Sequence, residues 1–353
     1  MSKTIHNYSN TTDYSGSEII KFELHNNDKH KISFMNAIRR ICIGEININA
    51  VDTSTIKIFK NTSCINESML RTRLEQSPIY KKTIYDNLKL VLNISNEEFG
   101  IRSIYLSDFK ILNKHSNKDE EQYNISDIFV YPRILYAKIK HGETINLEGE
   151  FTSNNVNGGT SSFSPVCPIT YHFKQDDTKV VTALKDIDGE FNQNDFKLRD
   201  ADRCYKMNSK NEPTICVMTI ESCGNMSSNQ IFNEALDVFR DKLDTFIKNI
   251  KSYESHDMID IKSADYNIES FDYSIRDEDT TLGNLLQDYL FEHSKVAFVG
   301  YDIPHPLDPI LLIRMGLKKN NTIDENNNVM SEIVTMLVGY IDDLQKEWKS
   351  IDI

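Results

Sequence analysis

The sequence predicts an α+β protein: two related units, each a small antiparallel sheet carrying two helices, packed as an intramolecular pseudo-dimer, plus a mixed insertion domain. Three observations lead there. Strand-like alternation and amphipathic helical periodicity recur in the same order in both halves. A helix of the first half superposes without a gap on one in the second when the chain is shifted by 248 positions, so that Ser33 meets Thr281. Only the first half is interrupted by a long, less regular stretch.

Taken in order, the segment 18–26 (EIIKFELHN) alternates as a strand does. In the segment 33–43, Phe34, Ile38, Ile41 and Cys42 fall on one helical face behind Ser33, a suitable N-cap. Residues 46–59 read as extended chain. The irregular region then holds a short helix near 69–74, strands over 88–94 and 134–139, an acidic loop at 118–122 and an Asn/Gly/Ser loop at 153–162. A strand over 214–221 precedes a long helix with Phe232, Leu236, Phe239, Leu243, Phe246 and Ile250 at steps of three or four.

The polar stretch that follows reads as a linker, and the pattern then restarts. A strand over 271–276 leads to a helix with Leu282, Leu285, Leu286 and Tyr289 on one face. A strand over 310–317, a polar loop at 318–328 and a closing helix over 329–348 complete the chain. That helix aligns Ile333, Leu337, Ile341, Leu344 and Trp348. The expected boundaries are a discontinuous first unit (1–58 and 166–250), an insertion (59–165), a linker (251–266) and a second unit (267–353).

In the shifted comparison Phe34 meets Leu282, Ala37 and Ile38 meet Leu285 and Leu286, Ile41 meets Tyr289, and Val51 meets Val299. A sheet with two helices on one face still has apolar helical surface to bury. Packing two such units through their helices makes a pseudo-twofold, four-helix contact. The expected contact residues are Phe34, Ile38, Ile41, Leu236, Phe239 and Leu243 from the first half. From the second they are Leu282, Leu285, Leu286, Tyr289, Leu337, Ile341 and Leu344. Asn36 and Asn284 recur at one helical position, as either a buried hydrogen bond fixing register or a plain surface amide.

Composition narrows the function. The 353 residues carry a formal charge of −13, the wrong sign for a protein whose main task is gripping a phosphate backbone. Little or no direct nucleic-acid contact is expected. No apolar run is long enough for a membrane span, and the polar leading segment has no signal pattern, which leads to the expectation of an intracellular protein that is not secreted. The cysteines (Cys42, Cys64, Cys167, Cys204, Cys216, Cys223) form no CxxC pair, so buried reduced thiols are expected and neither a metal nor a cofactor. No Gly-rich phosphate loop, nucleophile elbow or convergent Asp/Glu/His set is present, and no catalytic residue is expected. His305, in Pro304-His-Pro between Asp302 and Asp308, has no second ligand at metal spacing and reads as a shaped or docking loop. The acidic runs at 119–121 and 276–279 read as solvated loops.

The segment His30-Lys-Ile-Ser-Phe-Met-Asn-Ala-Ile-Arg-Arg-Ile-Cys-Ile resembles the "N-(A/S)-(I/L)-R-R" helix of the α-like subunits of cellular RNA polymerases. Phe163-Ser-Pro is similar to that family's "W-S-P" segment. Asp279-Thr-Thr-Leu-Gly-Asn-Leu-Leu followed by Val299-Gly-Tyr-Asp-Ile-Pro-His-Pro-Leu resembles the signature of the small eleventh-subunit partner. The resemblance implies two α-subunit-like dimerisation domains, third-subunit-like and eleventh-subunit-like, in one chain. Such a fusion resembles the arrangement in some large DNA viruses, and the Asn-, Ile- and Lys-rich composition suits an AT-rich genome.

By that resemblance the chain is a non-catalytic assembly subunit of DNA-directed RNA polymerase. Its implied partners are the second-largest and largest subunits and small accessory subunits. It would act in the host cytoplasm or nucleus, with packaging in the virion a further expectation. Arg39 and Arg40 are implied to dock the second-largest subunit, with a solvated helix face as the plain alternative. Arg73 and Pro78 survive from the family's "H-R-L-G-L-I-P-L" and join His305 as implied docking residues. The four-cysteine zinc loop of the eukaryotic third subunit is missing. A rival reading is a stand-alone scaffold or virion structural protein that keeps the fold without the polymerase.

Overall fold

The computed structural model describes residues 3–14, 16–25, 31–81, 85, 87–114, 123–153, 161–253, 258–265, 269–319 and 321–351. The expected acidic loop at 118–122, its run at 119–121, and nearly all of the loop at 153–162 lie outside the described residues.

The first unit begins with β1 (Ile5–Thr12), β2 (Glu18–His25) and α1 (Ile32–Gly44). The chain then makes β3 (Ala50–Asn61), α2 (Glu67–Glu75), β4 (Leu88–Ser95), β5 (Arg102–Tyr105), β6 (Lys110–Asn113), α3 (Ile125–Ile128), β7 (Leu135–Ile139) and β8 (Thr144–Thr152). It returns with β9 (Val166–Phe173), α4 (Asp177–Lys185), α5 (Glu190–Arg199), β10 (Ile215–Ser222) and α6 (Ser228–Lys251). The second unit follows as β11 (Ile259–Asp265), β12 (Glu269–Arg276), α7 (Thr280–Phe291), β13 (Val296–Asp302), β14 (Ile310–Leu317) and α8 (Ile323–Lys349).

Each unit is a four-stranded antiparallel sheet of the same connectivity. The orders are β1-β2-β10-β9 and β11-β12-β14-β13. The repeat is therefore strand–strand–helix–strand–strand–helix, two strands richer than periodicity indicates. α1 and α7 start at Ile32 and Thr280, so the 248-residue offset holds through this helix. Beyond it the gapless match fails. β13 corresponds in sheet position to β9, across the insertion, whereas β3 pairs with β8 in a separate sheet ordered β3-β8-β4-β6. Val51 is thus not the counterpart of Val299.

The same pairing corrects two boundaries. The expected cut at 58/59 falls inside β3, whose Val51 and Ile56 belong to the insertion's own apolar cluster. The expected linker 251–266 contains β11, hydrogen-bonded along its length to β12; its residues 254–257 and 266 lie outside the described ones. Ladder hydrogen bonds hold this strand, whose alternation is short: only Ile259 and Ile261 turn to the shared core.

Inward positions alternate along β2 (Ile20, Phe22, Leu24) and β14 (Leu311, Ile313, Met315), as a sheet buried on one face requires. α6 starts with a reciprocal capping box between Ser227 and Gln230. α8 starts at Ile323, not 329: Thr322 accepts from the Glu325 amide and Asp324 and Glu325 favour the helix start, so most of the expected polar loop is helical. Ser33 is not the cap of α1; Lys31 occupies that position without a side-chain bond. Gly283 lets α7 lie close on its sheet, because a Cβ there would sit 2.7 Å from side-chain atoms of Leu311 and Tyr301.

One apolar cluster runs through both units and includes the apolar faces of α1, α6, α7 and α8. A second is confined to the insertion. Sheet and helix layers of the two units therefore share one core.

Candidate functional site

α1 and α7 pack on each other across the two units, while α6 packs on α8 and on α1. Phe34, Ile38, Ile41, Leu236, Phe239 and Leu243 all lie buried in the shared cluster. So do Leu282, Leu285, Leu286, Tyr289, Leu337, Ile341 and Leu344. Phe34 and Phe239 place their ring centroids 5.3 Å apart. Trp348 packs on the pair Phe22 (4.9 Å) and Phe232 (4.3 Å), themselves 5.0 Å apart, carrying a second-unit side chain into the first unit.

Polar contacts rim this apolar seam. Arg40 Nε donates to Thr281 Oγ1 at 2.7 Å and its Nη2 to Asp279 Oδ2 at 2.8 Å. Asp279 also caps α7, its Oδ1 accepting from the Thr281 amide. Burial alone would raise the Asp279 carboxyl; Thr281, Arg40 and Lys242 outweigh it and hold it below its ordinary value. At the other end of the contact, Ser33 Oγ donates to Asp288 Oδ2, and Lys31 Nζ donates to the Asp288 carbonyl at 2.8 Å. Lys31 also pairs with Glu292 at 3.1 Å, and its amide donates to the Tyr289 hydroxyl.

Beside the seam, Lys242 of α6 lies 2.8 Å from Glu45 and 3.1 Å from Glu278. The run 276–279 is therefore no plain solvated loop: Glu278 is 17% exposed and Asp279 is a helix cap. With Gly44, Ile303, Pro306 and Asp308, these groups line a cleft of about 450 Å³. Between α6 and α8, Gln345 Nε2 donates to Asp237 Oδ1 at 2.6 Å and Arg240 pairs with Asp342 at 2.9 Å.

The expected docking residues separate. Arg39 is half-buried and donates to Asn36 Oδ1 one turn earlier, so Asn36 bonds within its own helix. Arg40, expected to face a partner, instead joins the two units. Arg73 donates to the Tyr136 carbonyl at 2.7 Å and Pro78 accepts from the Val130 amide, so both tie the insertion together. His305 is exposed on the loop that lines the cleft, its Nδ1 accepting from the Leu307 amide. Leu307 is 85% exposed.

Sequence reasoning missed Lys31, Asp279, Asp288, Lys242 and Glu278. For the first three a signal existed: the 248-residue shift aligns Lys31 with Asp279 and Arg40 with Asp288, opposite charges at matched positions. All described cysteines are free thiols, but only Cys42 and Cys216 are buried as expected, where burial pushes them up to about 12; Cys64 and Cys167 are exposed and Cys204 and Cys223 half-buried. Among the described residues no group of three or more His, Cys, Asp or Glu side chains is placed to hold a metal, and no helix is long and apolar enough to cross a membrane.

Two family models match, each described as the RNA polymerase Rpb3/Rpb11 dimerisation domain, over residues 28–243 and 270–347. The DNA-directed RNA polymerases I and III subunit rpc19 of Dictyostelium discoideum is 48% identical over 50 residues, 14% of this chain and 43% of that protein. The probable DNA-directed RNA polymerase II subunit RPB11 of Caenorhabditis elegans is 37% identical over 67 residues, 19% of this chain and 52% of that protein. The chain spans about half the length of these two curated relatives. The DNA-directed RNA polymerase subunit Rpo3 of Methanocaldococcus jannaschii is 24% identical over 226 residues, 64% of this chain and 89% of that protein.

Proposed function

The chain belongs to the RNA polymerase Rpb3/Rpb11 dimerisation-domain family, and from that premise we propose that it is the assembly platform of a DNA-directed RNA polymerase, contributing structure and no catalytic group. The observation that carries this reading is the doubled unit. The two matched segments fall in units of the same strand–strand–helix–strand–strand–helix connectivity, which share one core through α1 and α7. Carrying both units in one chain removes a bimolecular step from assembly.

On this reading the platform recruits the second-largest subunit, then the largest, with small accessory subunits joining later. It works inside the cell beside the template without gripping it, as the charge of −13 favours. Arg39 and the loop of His305 and Leu307 are the docking residues we retain, since Arg40 and Arg73 are held within the chain. The test is affinity capture of the tagged protein from its native host. Two very large chains co-purify in near-equal amounts, and R39A lowers their recovery roughly tenfold, the weight of one interface arginine, without shifting the melting temperature. A captured monomer with no large chain would sink the reading.

A further inference from the structure

The polar contacts at the two ends of the α1–α7 seam are images of each other under the 248-residue shift. Arg40 meets Thr281 and Asp279; Asp288 meets Ser33 and Lys31. Shifting the first set by 248 positions gives the second, so the two helices cross about a local twofold axis. The apolar residues at the seam do little to distinguish the halves, because Phe34, Ile38 and Ile41 occupy the places of Leu282, Leu286 and Tyr289. The charges do distinguish them. The first half carries Lys31 and Arg40, the second Asp279 and Asp288.

We infer that these four side chains form a pairing code: they admit only a first half against a second half and oppose like-with-like association between copies of the chain. About the same axis, two first halves would set Arg40 of each copy against Lys31 of the other. Two second halves would set Asp288 against Asp279 twice over. The observed pairing places one cation against one carboxylate at each end. Lys31 is 9% exposed and gains Glu292, whose counterpart in the first half is the neutral Gly44, so the asymmetry reaches past the quartet. The penalty for like charges is largest at the Lys31 end, where the cation is 9% exposed, and smaller at the partly solvated Arg40–Asp279 end. Such penalties are how charge confers specificity on an apolar seam. This inference concerns the pairing alone and does not depend on which complex the chain serves.

The test is a charge-exchange cycle in the full chain. K31D/R40D makes both halves acidic at these positions, and D279K/D288R makes both basic. Each double variant should lower the melting temperature by about 5 °C or more, given the cost of like charges in contact. The quadruple variant K31D/R40D/D279K/D288R restores opposite charge at both ends with the signs exchanged, and should melt above D279K/D288R, which shares its loss of the Asp279 cap on α7. If a double variant yields no folded chain, recovery of a folded quadruple variant supports the code. A quadruple variant no more stable than D279K/D288R overturns it, as do doubles that melt with the wild type, because packing alone would then set the pairing.

Discussion

Glu278 and Asp279 are neighbours in sequence whose carboxyls are driven in opposite directions. Burial, countered by Lys242 and reinforced by Glu45 and Asp279, pushes Glu278 up to about 7 from an ordinary value of 4.5. The folded state then holds this proton more tightly than the unfolded chain. Its contribution to stability is complete below about pH 4.5 and is lost as pH rises through about 7. Relative to E278Q, which cannot titrate there, the wild type should lose melting temperature between about pH 5 and about pH 8. A difference that stays flat across that range would refute the assignment. The sequence showed only an acidic run, because what buries Glu278 is a lysine on a helix of the other unit. The quartet of Lys31, Arg40, Asp279 and Asp288 was legible in principle, but only to a comparison that tracks charge as well as apolar spacing.

Elements with strong periodicity were legible to within a few residues: β14 matches its expected span, and α1, α6 and α7 differ only at their ends. The elements that escaped are those whose stability is not written in apolar spacing. β1 is a largely exposed edge strand that rests on its ladder to β2 and on Glu347, whose carboxylate accepts from the Thr4 and Ile5 amides. β11 is a polar edge strand of the same kind. β3 was seen as extended chain, but sequence cannot say which sheet receives it. α4 and α5 lie within the long connection between β9 and β10, and α4 buries no residue. Val181, Phe191 and Leu198 are exposed there at 53%, 82% and 85%. The β9–β10 ladder closes without them, Phe173 opposite Cys216. Replacing residues 175–213 by a short hairpin turn should therefore leave the melting temperature within about 3 °C, a change expected of surface segments with few core contacts. Loss of the cooperative transition in calorimetry would show that the excursion is structural.

At the scale of the whole molecule the described residues form two cores against three expected units, because the first and second units share one. Amides of α1 and α7 should consequently exchange with deuterium in one protection class, and those of β4 in another set by the insertion. Separate exchange of α1 and α7 would show that the units open independently. The shared core also imposes an order on synthesis. Trp348, on α8 and synthesised after the whole first unit, covers the Phe22–Phe232 pair, whose rings already meet at 5.0 Å. Translation at about 5–20 residues per second leaves that pair without its Trp348 cover for roughly 5–20 s after α6 has emerged. The nascent first unit spends that interval with this aromatic face uncovered, a natural client for a chaperone. A chain cut short before Trp348 keeps that face uncovered for as long as it exists.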